Sequence, residues 1–246
     1  MARFSPSGRP KSRDFPLASR LPPPMVPRVT AASFLSSSPA SLKICGVTLP
    51  SDAQRLADLG VDALGANFWP LSKRYLDPAQ AGFLKELEGK ILRVGVFVNA
   101  GYELPVRLYE EGLIDLVQLH GDETAEDARM LENAGVPFVK AIGVRGVADL
   151  ESVHAFRAAG ILLDAHAPGV YGGTGQTIDW ALARRFVAEN PELPLILAGG
   201  ITPGNVSEAI AAVQPAALDV ASGAEIRPGV KDFGKVEALL AACRAI

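Results

Sequence analysis

The residues best equipped for chemistry in this chain stand inside or at the ends of short apolar runs. Lys43 and Cys45 lie in Leu42–Gly46, Gln118 and His120 in Leu116–Gly121, Asp164 after Ile161-Leu162-Leu163, and Asp219 in Ala217–Ser222. A charge embedded in an apolar strand is costly unless it is paired. Lys43 and Asp219 are therefore read either as a buried ion pair or as direct participants in a reaction. Two glycine-bearing turns, Ala198-Gly199-Gly200-Ile201-Thr202 and Ala221-Ser222-Gly223-Ala224-Glu225, suit the binding of a phosphate, because backbone N–H groups approach a phosphate oxygen closely only where no Cβ intervenes. A third segment, Tyr171-Gly172-Gly173-Thr174-Gly175, suits a lid or a further wall of the same site. Metal chemistry is not expected: the chain has three histidines, His120, His154 and His166, and neither they nor its two cysteines, Cys45 and Cys243, show ligand spacing.

The elements that must carry these residues recur regularly. The apolar runs Leu42–Gly46, Ala63–Phe68, Leu92–Val98, Leu116–Gly121, Phe138–Val144, Ile161–Ala165, Leu195–Gly200 and Ala217–Ser222 start 21 to 34 positions apart, close to the least that a strand, a crossover helix and two short loops require. Helical patterns such as Ser51–Leu59, Thr124–Ala134 and Pro203–Val213 fall between them. Eight βα repeats predict an α/β fold, a (β/α)8 TIM barrel over residues 41–246. A doubly wound open sheet is the competitor, and Cys45-Gly46-Val47-Thr48 after the first strand is not its glycine fingerprint. In a barrel, alternate strand residues point inward and those at the C-terminal ends face the catalytic mouth. Lys43 and Cys45 then share one inward face, as do Gln118 with His120, Leu162 with Asp164, and Asp219 with Ala221. The two glycine turns follow strands 7 and 8, where barrels most often hold phosphate.

Residues 1–40 read differently. They carry six Lys and Arg against one acid, Asp14, so their charge of +5 leaves −8 for the rest of a chain whose net charge is −3. Eight of the 19 prolines and eight serines fall there, a composition that predicts a disordered extension. An Arg- and Ser-rich, acid-poor start also fits an organelle transit peptide, and an initiation at Met25 is a further reading. No run is long enough for a membrane helix, the basic arm lacks the interleaved aromatics of a nucleic-acid binder, and two cysteines fit a reducing compartment. A cytoplasmic bacterial protein is expected, or a plastid one if the arm is a transit peptide. A monomer is expected, with a homodimer as the alternative.

Several motifs in order are similar to those of phosphoribosylanthranilate isomerases of tryptophan biosynthesis. They are Lys43-Ile44-Cys45-Gly46-Val47-Thr48, Ser72-Lys73-Arg74-Tyr75, Arg93-Val94-Gly95-Val96-Phe97-Val98-Asn99, Val117-Gln118-Leu119-His120-Gly121, Leu163-Asp164, Gly172-Gly173-Thr174-Gly175 with Asp179-Trp180, Gly199-Gly200, and Asp219-Val220-Ala221-Ser222-Gly223 followed by Pro228-Gly229-Val230-Lys231-Asp232. The resemblance runs from Leu42 to the end of the chain. It departs at Ala66-Asn67, where larger apolar residues are usual, and at Ala221 and Ala224, where Ser and Val are. Ala221 could alter one hydrogen bond near the phosphate.

The resemblance implies an Amadori rearrangement of N-(5'-phosphoribosyl)anthranilate, with Cys45 as general base, Asp164 as general acid and no cofactor, since the change is redox-neutral. A free thiol has a pKa of ~8.5, and cationic neighbours would enlarge its thiolate share. The apolar run before Asp164 would shield that carboxyl from water. Arg74 is the candidate for the anthranilate carboxylate, because a guanidinium fork grips a carboxylate bidentately. His120 either orients substrate or is structural, and Asp219 either meets ribose hydroxyls or only pairs with Lys43. Gly172, Gly173, Gly199, Gly200, Ser222 and Gly223 are the phosphate candidates. A histidine-biosynthesis isomerase would be expected to carry an acid where Cys45 stands, and an indole-glycerol-phosphate synthase a lysine–glutamate set that the first strands lack. A non-catalytic phosphate-binding barrel would not need both Cys45 and Asp164.

Overall fold

The computed structural model describes Met1 and residues 29–36, 40–165 and 178–245. The apolar runs become eight strands: β1 (Ser41–Cys45), β2 (Ala63–Asn67), β3 (Leu92–Phe97), β4 (Leu116–Leu119), β5 (Phe138–Val144), β6 (Ile161–Ala165), β7 (Leu195–Leu197) and β8 (Ala217–Val220). Each pairs in parallel with the next, and β1 pairs with β8, opposite residues including Lys43 and Asp219. That last pairing closes the barrel and excludes the open doubly wound sheet.

Around the strands pack α2 (Pro50–Leu59), α3 (Glu103–Glu110), α4 (Ala125–Asn133), α5 (Trp180–Glu189), α6 (Val206–Val213) and α7 (Phe233–Arg244), while α1 (Ala31–Leu35) precedes β1. Their starts follow local chemistry. Pro50 opens α2, where a missing N–H costs nothing, and Thr124 and Asp127 form a reciprocal capping box at α4. Two crossovers depart from the expected α-helices. Between β2 and β3 the chain coils as a 3-10 helix over Pro78–Leu87, and between β5 and β6 it makes two 3-10 turns, Val147–Leu150 and Val153–Phe156. Gly82 inside the first crossover and Gly146 before the second weaken α-helix there.

Alternation along the strands divides the apolar residues into two clusters. One faces the helices and includes Leu42, Ile44, Leu64, Phe97, Val117 and Leu163. The other fills the barrel floor and includes Ala63, Leu92, Val94, Leu116, Val139, Leu162, Ile196 and Ala217. Phe34 and Leu35 of α1 belong to this inner cluster, and Phe34 is only 1% exposed. The disordered extension expected through residue 40 is corrected at its end: Thr30 and Ser33 cap a short helix that plugs the floor. The physical reason is local, since Phe-Leu beside a cap supplies apolar area that an average over forty residues conceals. Residues 2–28 and 37–39 lie outside the described residues, and the expectation of disorder is not addressed there.

A short hairpin absent from the sequence reading follows β8: β9 (Glu225–Arg227) and β10 (Val230–Lys231). The turn is Pro228-Gly229, with Gly229 at φ 82°, a dipeptide that could have announced it. Other buried charges away from the mouth are fully partnered. Arg93 bonds Asp115 and the carbonyls of Leu84 and Gly112, and Lys140 bonds Glu123 and the Gly121 carbonyl.

Candidate active site

A cavity of about 320 Å³ opens at the C-terminal ends of the strands. Cys45, Arg74, His120, Asp164, Gly199, Gly200, Asp219, Ser222 and Gly223 all line it, so the candidates named from the sequence meet in one place. Gly172, Gly173 and His166 lie outside the described residues.

Cys45 ends β1 and is 9% exposed. Its thiol lies against Gly65 of β2, where an added Cβ would come within 2.7 Å of Sγ; glycine is what leaves room for the sulfur. Below it, Lys43 Nζ donates to Asp219 Oδ1 at 2.8 Å and to Gln118 Oε1 at 3.0 Å. The ion pair anticipated in the sequence is present. Burial pulls the Lys43 ammonium down most, but Asp219 and Cys45 together outweigh it and hold its pKa above the ordinary value. For Cys45 burial acts the other way: it pushes the thiol up, Asp219 adds to this, and the opposing ammoniums of Lys43 and Lys231 do not cancel it. The expected gain in thiolate share is thus corrected, because desolvation of a buried thiolate exceeds the help from its cationic neighbours.

Arg74 reaches the rim from the loop after β2 with its stem laid over Gly46, which stands at φ 75° and whose Cβ would lie 2.2 Å from Arg74 Cδ. One edge of its fork is already held: Nε and Nη2 donate to the Glu225 carboxylate at 2.7–3.1 Å. Glu225 also accepts from Lys231 Nζ at 2.7 Å, and Lys231 in turn donates to the Cys45 carbonyl. Burial pushes Glu225 up, yet Arg74 and Lys231 outweigh it and hold its pKa below the usual carboxylate range. Burial dominates at Lys231 and leaves its pKa lowered despite Glu225. Sequence reasoning missed Glu225 and Lys231 as site residues. Both belong to the hairpin, and Arg74 is 151 residues from Glu225.

Opposite, on β6, Asp164 Oδ1 accepts from the Ala165 N–H at 2.8 Å, while Oδ2 lies 3.6 Å from His120 Nε2. His120 Nδ1 meets Gln118 Nε2 at 2.7 Å. The glycine turns form the remaining wall. Gly199 and Gly200 stand at φ 82° and 63°, a left-handed backbone that glycine adopts without strain. An added Cβ on Gly223 would fall 1.9 Å from the Ile201 carbonyl oxygen, so the two turns touch and present their backbones side by side. Asn205, another residue the sequence did not single out, braces the first turn by accepting from the Thr202 N–H and donating to the Gly200 carbonyl. Among the described residues no group of three His, Cys, Asp or Glu could hold a metal ion, and no helix is long and apolar enough to cross a membrane.

The family model described as N-(5'-phosphoribosyl)anthranilate (PRA) isomerase matches residues 42–242. The N-(5'-phosphoribosyl)anthranilate isomerase of Pseudomonas putida (strain W619) is 43% identical over 205 residues, 82% of this chain and 96% of that protein. The crystal structure of the phosphoribosyl anthranilate isomerase from Thermotoga maritima superposes with a TM-score of 0.76 at 36% identity, covering 84% of this chain and all of that one. A further structure, 34% identical with a TM-score of 0.72 and covering 84% of this chain and all of that one, holds such an isomerase in complex with reduced 1-(o-carboxyphenylamino)-1-deoxyribulose 5-phosphate.

Proposed function

This chain belongs to the N-(5'-phosphoribosyl)anthranilate isomerase family, the isomerases of this step in tryptophan biosynthesis, and on that premise we propose that Cys45 is the general base and Asp164 the general acid of its rearrangement. The observation that carries the assignment is that a thiol on β1 and a carboxyl on β6 line one cavity with the glycine turns after β7 and β8. The Asp164 carboxyl gives its proton to the ribose ring oxygen as the C1–O bond breaks, and the anilino nitrogen lone pair closes a C1=N Schiff base. The Cys45 thiolate then takes the proton on C2; the electron pair left behind forms C1=C2 and returns the iminium pair to nitrogen. Protonation at C1 and loss of the enol proton give the ketone, 1-(2-carboxyphenylamino)-1-deoxyribulose 5-phosphate. Burial raises the pKa of the Cys45 thiol, and the iminium charge that ring opening creates beside it acts the other way and favours the thiolate.

The substrate is held at both ends. Backbone N–H groups of Gly199, Gly200, Ser222 and Gly223 receive the phosphate, with Gly172 and Gly173 as a further wall. At the other end Arg74 receives the anthranilate carboxylate. Because Glu225 occupies the Nε–Nη2 edge of the fork, the carboxylate approaches the Nη1 end. Asp219 and His120 face the ribose between them. The rearrangement is redox-neutral and proceeds by proton transfer. We read the enzyme as a cytoplasmic monomer, which fractionation and sedimentation test.

Cys45→Ala and Asp164→Asn are each expected to lower kcat by about two orders of magnitude or more with the fold intact, the usual size of a general acid or base contribution. Near-normal turnover in either variant overturns that assignment. Arg74→Ala is expected to raise KM chiefly. Complementation of a tryptophan auxotroph lacking this step tests the activity as a whole.

A further inference from the structure

Gln118 has no place in the scheme above, yet it is fully buried at the centre of the barrel, on β4, across the barrel from the β1–β8 pair that carries Lys43 and Asp219. Its amide touches two polar groups: Oε1 faces Lys43 Nζ at 3.0 Å and Nε2 faces His120 Nδ1 at 2.7 Å. The two ends of an amide are chemically opposite, so its orientation matters. Lys43 settles it. An ammonium only donates, so the Gln118 oxygen must face Lys43 and the NH2 must face the imidazole. Lys43 cannot turn away, because Asp219 holds it at 2.8 Å in a site with 1% side-chain exposure. The ring nitrogen receiving an N–H must be a bare acceptor, so Nδ1 carries no hydrogen and Nε2 carries it. That Nε2–H points toward Asp164 Oδ2, 3.6 Å away.

We propose that Gln118 is a positioning residue: it transmits the fixed polarity of the Lys43–Asp219 pair across the barrel and locks His120 in the tautomer that presents Nε2–H to Asp164. The chemical consequence lies in the acid's proton, and it rests on Asp164 being the acid. With Nε2–H facing it, the carboxylate left after proton transfer meets a donor, and the acid cannot lose its proton to the ring. With the tautomer reversed, a bare Nε2 would accept the Asp164 hydrogen and draw it away from the substrate oxygen. At 3.6 Å the present contact is longer than a hydrogen bond, so it does not tie up Oδ2 before substrate binds.

The test joins nitrogen NMR to kinetics on the full chain labelled in histidine, with His120 assigned by the signal lost in His120→Asn. In the unsubstituted protein, His120 is expected to show a bare Nδ1 and a protonated Nε2. Gln118→Met removes the donor, and the single tautomer is expected to give way to a mixture. Gln118→Glu places an acceptor at Nδ1 and is expected to move the hydrogen there. Turnover follows the tautomer: kcat falls about 10-fold in Gln118→Met and about 100-fold in Gln118→Glu, within the range of acid–base contributions, while KM changes less than about twofold. A protonated Nδ1 in the unsubstituted protein overturns the proposal, as does a loss of kcat in Gln118→Met with the tautomer unchanged. Should Gln118→Glu fail to fold, the unsubstituted protein and Gln118→Met still decide. Failure of the Asp164 assignment would appear separately, as turnover retained in Asp164→Asn, to which the NMR result is blind.

Discussion

Replacing Phe34 with alanine tests whether the segment before β1 is part of the barrel. The ring is 1% exposed and sits among Leu92, Val94, Leu116, Val139 and Leu162 on the barrel floor. Removing a buried phenylalanine to alanine costs about 3–5 kcal/mol, the transfer of the ring plus the cavity it leaves. A cap applies here. Local hydrogen bonds among Thr30, Ser33, Phe34 and Ser36 close the helix on itself, Phe34 and Leu35 pack it into the inner cluster, and the loss cannot exceed the free energy of seating the whole segment. We therefore expect the low end, about 3 kcal/mol. For a domain of this size that lowers Tm by roughly 6–12 °C, at 2–4 °C per kcal/mol. Thermal and urea unfolding at fixed pH provide the assay. Deleting residues 2–28 serves as a control expected to leave Tm unchanged, whereas deletion through Ser36 should lower it as Phe34→Ala does. Turnover at 25 °C should stay within about twofold, since the polar layer of Lys43, Gln118 and Asp219 separates the plug from Cys45. A Phe34→Ala protein melting within about 1 °C of the parent refutes the plug.

Three further outcomes follow from the charges at the mouth. The Cys45 thiol is held above its ordinary pKa, so a protonated thiol persists to higher pH. Its thiolate, and with it kcat/KM, should keep rising about tenfold per unit through pH 8.5, where an ordinary thiol would level off; alkylation rates in a Cys243→Ala background report the same limb, since Cys243 is itself pushed up to about 11. Asp219→Asn removes a carboxylate that raises the thiol and frees the Lys43 ammonium to lower it, so the alkylation midpoint should move to lower pH; a midpoint unchanged or raised contradicts this account. Glu225→Gln loosens the Arg74 fork, and KM is expected to rise about tenfold, the value of a charge-assisted hydrogen bond, with kcat affected less. An unchanged KM would detach Glu225 from substrate binding.

The barrel was legible because its strands are buried on both faces and so appear as unbroken apolar runs, and because Lys43, Gln118 and Asp219 interrupt those runs at inward positions. The glycine turns were legible for a related reason: their place after the last two of eight strands gives a weak dipeptide its meaning. What escaped depends on partners distant in the chain. Nothing local to Glu225 says that it grips Arg74, and nothing near Cys45 says that burial outweighs two ammoniums. Phe34 escaped through averaging, since five residues of helix vanish among prolines and serines. Gln118 was placed on the inward face, but its function is invisible until Lys43 and His120 are seen at its two ends.

Closure of the barrel through β1 and β8 also governs the order in which the molecule can be made. Synthesis delivers Lys43 early, and Asp219 follows 176 residues later. Until then the first strand has a free edge and an ammonium whose carboxylate does not yet exist, so an emerging chain gains little by burying it. Cys45, Asp164 and both glycine turns come into register only when β8 docks beside β1. Such long-range pairing pays its loop-closure entropy before its reward and slows folding. A ribosome stalled before β8 would therefore carry nearly every strand of the enzyme and none of its activity.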